Sequence, residues 1–129
     1  MSTRESLGGG TLVTYTPDEV REMFERDEIV LIDVRTPVEY AFEHIKGALL
    51  SPMASFDTRH LPTQTDKRIV FHCGSGIRSK RVSERCLAAG FGDVAHMAGG
   101  MMGWKRAGFP YLATDPATGG IVTKSDPRV

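Results

Sequence analysis

Arg68-Ile69-Val70-Phe71-His72 runs without a break into Cys73-Gly74-Ser75-Gly76-Ile77-Arg78-Ser79, and a helical pattern follows. The apolar run Ile69-Val70-Phe71 reads as a strand buried on both faces. Beyond the loop, Val82, Cys86 and Ala89 recur at helical spacing, and Gly90 marks the stop. A strand, a tight loop and a helix make up the repeating unit of a parallel α/β sheet. The unit also occurs upstream, where Ile29-Val30-Leu31-Ile32 precedes Thr36-Pro37-Val38-Glu39. Thr36 fits an N-cap, Pro37 fits the first helical position, and Glu39 closes a capping box. Thr16-Pro17-Asp18-Glu19 repeats that start signal, ahead of an apolar stripe of Val20, Met23 and Phe24. Shorter strands are expected at Thr11 to Thr14, Ala48 to Leu50 and Asp93 to Met97, with a short helix over Met101 to Ala107. The expected fold class is α/β, a mostly parallel sheet with helices on both faces. Ligands bind such sheets beyond the carboxyl ends of the strands, which is where Cys73 falls.

The length of 129 residues fits one domain. Hydrophobic residues make up 40% and charged residues 25%, which excludes a largely disordered chain. Sixteen basic residues cancel sixteen acidic ones, so no charge excess drives nucleic-acid binding. No apolar run approaches the roughly 20 residues of a membrane span, and Met1 to Gly10 holds no apolar stretch of a secretory signal. Two cysteines make no disulfide scaffold, and a cytoplasmic setting is expected. Locally the charge is uneven. Pro17 to Glu43 holds nine acids and three bases, and Lys67 to Arg106 holds eight bases and two acids. Either these are solvated helix faces, or the second half forms a basic collar that attracts an anionic substrate or an acidic partner. Three segments are expected: a flexible arm over 1–10, a domain over 11–110 and a tail over 111–129.

The loop after Phe71 carries the chemistry. Two glycines and a serine let the backbone curl tightly behind Cys73. Successive amides then form an anion nest, and a helix N-terminus adds its dipole. A thiolate held there is stabilised, so Cys73 is expected to titrate below a free cysteine and act as a nucleophile. The same nest suits a persulfide anion. The bland alternative is a buried free cysteine on an ordinary strand-to-helix turn.

His72-Cys73-Gly74-Ser75-Gly76-Ile77-Arg78-Ser79 resembles the active-site loop of rhodanese domains, of the Cys-x-x-Gly-x-Arg-Ser type. Leu31-Ile32-Asp33-Val34-Arg35, Glu39-Tyr40 and His44-Ile45-Lys46-Gly47-Ala48 resemble that family's N-terminal motif. Gly99-Gly100-Met101-Met102-Gly103-Trp104, ending at Gly108-Phe109-Pro110, resembles its C-terminal one. The resemblance implies a five-stranded parallel sheet flanked by helices on both faces, and a sulfurtransferase without metal or organic cofactor. It implies that Cys73 takes a sulfane sulfur from a small anionic donor such as thiosulfate. The persulfide then passes that sulfur to a thiol, a protein acceptor or cyanide. The amides of Gly74, Ser75, Gly76, Ile77, Arg78 and Ser79 would cradle it, and Arg78 would bind or orient an anionic donor. Related cysteine phosphatases use Cys-x5-Arg, whereas Cys73 and Arg78 are one residue closer, which suits one added sulfur atom better than a phosphate. Gly74 stands where many single-domain members carry Arg, so thiosulfate is expected to be a weak donor. A persulfide carrier or interaction module that docks one partner protein is the alternative.

Other residues have simpler readings. Asp33 and Arg35 follow a strand end near the site, where they either orient the loop or pair with each other or with Glu39. Cys86 shares an apolar stripe with Val82 and Ala89 and reads as core, being too far along its helix to resolve a Cys73 disulfide. His44, His60, His72 and His96 lack metal-ligand spacing with either cysteine. Met97, Met101, Met102 and Trp104 read as packing, with part of the cluster walling the site. Lys80, Arg81 and Arg85 read as the exposed face of the loop's helix.

Overall fold

The computed structural model describes residues 2–7, 9–62, 64 and 66–125. In chain order it has β1 (Thr3–Leu7), β2 (Gly10–Tyr15), α1 (Pro17–Glu25), β3 (Ile29–Asp33), α2 (Pro37–Phe42), β4 (Glu43–His44) and β5 (Leu49–Leu50). Two 3-10 turns precede β6 (Arg68–His72), α3 (Ile77–Ala88), β7 (Asp93–Met97), α4 (Gly100–Arg106), β8 (Tyr111–Thr114) and β9 (Ile121–Lys124).

The main sheet has the order β1-β2-β7-β6-β3-β5. β2, β7, β6, β3 and β5 are parallel, and β1 adds an antiparallel edge. The sheet therefore has six strands, one more than the five expected. The extra strand lies within the arm read over 1–10, of which residues 1 and 8 fall outside the described residues. Its sequence, Thr-Arg-Glu-Ser-Leu, is polar because it is a largely exposed edge, and it is held by pairing from Thr3↔Thr14 to Leu7↔Gly10. The segment over 111–129 also carries strands. β4, β8 and β9 form a small antiparallel sheet, and Tyr111 and Ala113 are buried in the core. Residues 126–129 lie outside the described residues.

Both expected Thr-Pro capping boxes are present. Thr16 and Thr36 accept from the amides of Glu19 and Glu39, whose carboxylates accept from the threonine amides in return. Each such cap contributes about 1 kcal/mol. Alternation along the strands divides the core in two. Val13, Leu31, Val70 and Ala95 face one cluster with Val20, Met101 and Trp104, from α1 and α4. Leu12, Ile32, Ile69, Phe71 and Val94 face the other with Val82, Cys86 and Leu87 of α3. Strands buried on both faces read as continuous apolar runs, which is why β3 and β6 stood out in the sequence. The register brings Thr14, His96, His72 and Asp33 to the carboxyl end of the sheet, through Thr14↔His96, Phe71↔His96 and Asp33↔His72. No helix among the described residues is long and apolar enough to cross a membrane.

Candidate active site

Cys73 leaves the end of β6 and is fully buried. The loop behind it turns on Gly76, whose φ of 108° belongs to the left-handed region that glycine enters without strain. That turn aims the Gly76 amide back at the sulfur, where it donates over 3.1 Å. Ser79, in the first turn of α3, places its Oγ 3.6 Å from Cys73 Sγ. Burial pushes the Cys73 thiol up. The hydrogen bonds of the Ser79 amide and hydroxyl and of the Gly76 and Ser75 amides outweigh it, so the thiol titrates below its usual value.

α4 closes the loop from the other side. Its Met101 amide donates to the Cys73 carbonyl over 2.7 Å, and its Met102 amide to the Gly74 carbonyl over 3.0 Å. Gly100 lies against the same peptide, so closely that a Cβ there would meet Cys73 O at 2.3 Å. The loop is thus held by its own helix and by the N-terminus of the next.

A pocket of about 360 Å³ opens beside the loop, lined by Gly74, Ser75 and Arg78 with Arg35, Glu39, Glu43, Met101, Met102 and Lys105. A larger one of about 470 Å³ lies at the amino ends of β6 and β7, at the far end of the sheet from Cys73. Each cation of the site pocket is matched by a carboxylate. Arg78 grips Glu39 with both arms of its guanidinium, at 2.7 and 3.0 Å. Lys105 meets Glu43 at 2.8 Å, and Arg35 meets Asp33 at 2.8 Å. The Arg78 bond holds the Glu39 carboxyl down at about 2, so the pair is fully ionised at neutral pH.

Of the residues singled out in the sequence, Cys73, Gly76 and Ser79 meet at the sulfur, and Gly74, Ser75 and Arg78 line the pocket. Ile77 starts α3 with its side chain 63% exposed. Asp33 and Arg35 pair with each other inside the protein, and Arg35 Nη2 also donates to the Glu43 carbonyl over 2.6 Å. Glu39 pairs with Arg78 instead. His72 is fully buried beneath the loop, with Nδ1 3.3 Å from the Cys73 carbonyl and Nε2 3.6 Å from Asp33 Oδ2. Burial pushes its pKa below the ordinary histidine value, so it is neutral. Two features had no signal in the sequence. The Arg78–Glu39 pair joins residues 39 apart, and His96 reaches Ser79 Oγ at 2.9 Å from another strand.

The model of the rhodanese-like domain matches residues 16–107. The chain belongs to the rhodanese-like domain family. A protein named sulfurtransferase from Allochromatium vinosum is 32% identical over 95 residues, covering 74% of this chain and 89% of that one. A probable adenylyltransferase/sulfurtransferase of Mycobacterium tuberculosis is 36% identical over 98 residues, 72% of this chain and 24% of its own length. An uncharacterized Synechocystis protein is 34% identical over 107 residues, 83% of this chain; the match spans 60% of that protein. Among solved structures, a rhodanese-like domain protein of Staphylococcus aureus superposes with a TM-score of 0.61 at 29% identity, over 70% of this chain and 89% of that one. A rhodanese-like domain from Anabaena gives a TM-score of 0.66 at 22% identity, over 76% of each chain, and shows the shared fold.

Proposed function

We propose that this rhodanese-family protein is a sulfurtransferase that carries sulfane sulfur as a persulfide on Cys73. The observation that carries this reading is the sulfur's cradle of N–H and O–H donors, which lowers the thiol's pKa. With thiosulfate, the Cys73 thiolate attacks the outer sulfur, and the S–S bond breaks with its electron pair leaving on sulfite. The Cys73 persulfide anion remains. A nucleophile such as cyanide or a thiolate then takes the outer sulfur and returns Cys73 as the thiolate. The amides that hold the thiolate hold the persulfide anion in the same way. The sulfurtransferase names among its relatives support the reaction class.

The test is the intact mass of the reduced protein after incubation with excess thiosulfate or a low-molecular-weight persulfide. The expected result is a gain of one sulfur atom that cyanide removes as thiocyanate. No gain with either donor overturns the reading.

The pocket's paired charges bear on the donor. A dianion entering it has to compete with Glu39 for Arg78. Glu39→Gln keeps the acceptor oxygen of the capping box but removes the carboxylate's charge and one of the two bonds that hold Arg78. The KM for thiosulfate is expected to fall by about fivefold, the effect of roughly 1 kcal/mol for one rim charge. Steady-state kinetics over a thiosulfate series checks this. A rise in KM would mean that Glu39 serves the donor by orienting Arg78.

A second reading has one observation in its favour. Met102 on the pocket wall is 57% exposed, and Ile77, next to Arg78, is 63% exposed. An apolar rim fits a protein surface better than a small anion. On this reading the protein passes its sulfur stoichiometrically to one partner, and fast turnover with thiosulfate and cyanide would make it unnecessary.

A further inference from the structure

Cys73 must lose a proton before it can attack, yet its side chain is fully buried. A chain of hydrogen-bonding groups leads away from it through the interior. Cys73 Sγ lies 3.6 Å from Ser79 Oγ. Ser79 Oγ lies 2.9 Å from His96 Nδ1. His96 Nε2 lies 3.1 Å from Thr14 Oγ1, and Thr14 is half-buried, at the edge of solvent. The links join α3, β7 and β2. The Thr14↔His96 register places the outer link, and β2 and β7 present Leu12 and Val94, two residues back, to the same α3 face of the sheet. Ser79 is fully buried and His96 is 5% exposed, so the inner links are sheltered from solvent.

We infer that His96 relays the Cys73 proton to solvent, through Ser79 and Thr14, by exchanging one neutral tautomer for the other. The inference rests on Cys73 being the sulfur carrier. In the thiol state S–H donates to Ser79 Oγ, Ser79 O–H donates to His96 Nδ1, and His96 Nε2–H donates to Thr14 Oγ1. Each proton then moves one link outward, and Thr14 releases its own to water. Afterwards Ser79 O–H donates to the thiolate, His96 Nδ1–H donates to Ser79, and Thr14 O–H donates to Nε2. One proton has left, the sulfur carries the negative charge, and the imidazole is neutral before and after. The tautomer that appears is the one that turns the Ser79 hydroxyl toward the sulfur anion.

The surroundings favour this. Burial, with the charge of Lys80 on α3, holds His96 down at about 4, against the pull of Glu5 on β1. An imidazole that resists protonation relays without trapping the proton. On the sulfur side the charged groups are Arg78 on α3 and the Asp33–Arg35 pair at the carboxyl end of β3, with neutral His72 beneath. A histidine that merely fills the core would have no reason to change tautomer when Cys73 ionises.

The experiment is an NMR titration of the full chain with 15N-labelled histidine, with no sulfur donor present, so that its failure leaves the sulfurtransferase reading standing. The expected result is conversion of His96 from the Nε2–H to the Nδ1–H tautomer, with the midpoint of Cys73 alkylation by iodoacetamide. In Cys73→Ser the conversion is expected to vanish. One tautomer throughout, or a conversion that persists in Cys73→Ser, overturns the relay. His96→Asn supplies a second arm, because an amide cannot exchange a donor for an acceptor at both ends. It is expected to raise the alkylation midpoint by about one pH unit, the size of a hydrogen bond to a charged group. Added to Ser79→Ala it is expected to do nothing further, since the effect passes through Ser79. Equal shifts in both backgrounds would overturn the inference.

Discussion

Cys73→Ser is expected to remove sulfur transfer while leaving the protein folded. A serine oxygen cannot form a persulfide, and it is a poor nucleophile without an adjacent base. Turnover with thiosulfate and cyanide is expected to drop by roughly 10³-fold or more, as when other enzymes lose their nucleophile. The substitution is nearly isosteric, and the Gly76 amide that donates to the sulfur can donate to the hydroxyl instead. Thermal unfolding is therefore expected within about 1 kcal/mol of wild type. The other cysteine is the control. Cys86 is buried in the α3 face of the core, and burial pushes its thiol up to about 11, which leaves it protonated and inert. Cys86→Ala is expected to lose stability through a small cavity and to keep its turnover. Comparable loss of turnover in both variants would sink the assignment of the nucleophile.

The contrast between the two cysteines was legible in the sequence because local chemistry decides it. Cys73 ends an apolar run and precedes Gly-Ser-Gly. Cys86 sits at helical spacing with Val82 and Ala89. The central strands and the two Thr-Pro helix starts were legible for the same reason, since each is written in a few consecutive residues. β1 was not. It is an edge strand whose residues face water, so it needs no apolar pattern, and its partner supplies the pairing that holds it. β8 and β9 escaped for a related reason: a tail rich in Thr, Pro and Gly becomes a hairpin because β8 pairs with β4, about 70 residues earlier. In the site itself, the loop's conformation was legible but its partners were not. Whether Arg78 faces a donor or Glu39 depends on where α2 starts relative to α3. Whether His96 is a bystander or sits behind Ser79 depends on the parallel register of β2 and β7. Pairings of that range are made by tertiary packing, and no spacing along the chain announces them.

Gly100→Ala is expected to damage both stability and activity, and the two losses have separable causes. Gly100 has φ of 56°, and an alanine Cβ would come within 2.3 Å of Cys73 O, 2.7 Å of Gly74 C and 2.8 Å of Cys73 C. All three atoms are backbone, so no side chain can swing aside. The left-handed conformation costs about 1–2 kcal/mol for a residue with a Cβ. Relieving the overlap adds roughly 1–3 kcal/mol. The sum is a large share of the ~5–15 kcal/mol that holds a small domain together. The overlap can be relieved only by moving the start of α4 away from the Cys73–Gly74 peptide. That stretches the bonds from the Met101 and Met102 amides that hold the loop closed. Turnover of the folded fraction is therefore expected to fall about 10²-fold, as a displacement of about 1 Å does elsewhere. Gly90→Ala separates conformation from contact. Gly90 has φ of 99° with nothing within 4 Å of its would-be Cβ, and it lies at the far end of α3 from the cradle. It is expected to lose stability by conformational strain alone and to keep full turnover. Thermal melts and initial rates on the two variants decide the matter. If Gly100→Ala keeps normal turnover at a temperature where it is folded, α4 does not hold the loop, and the cradle is set by β6 and α3 alone.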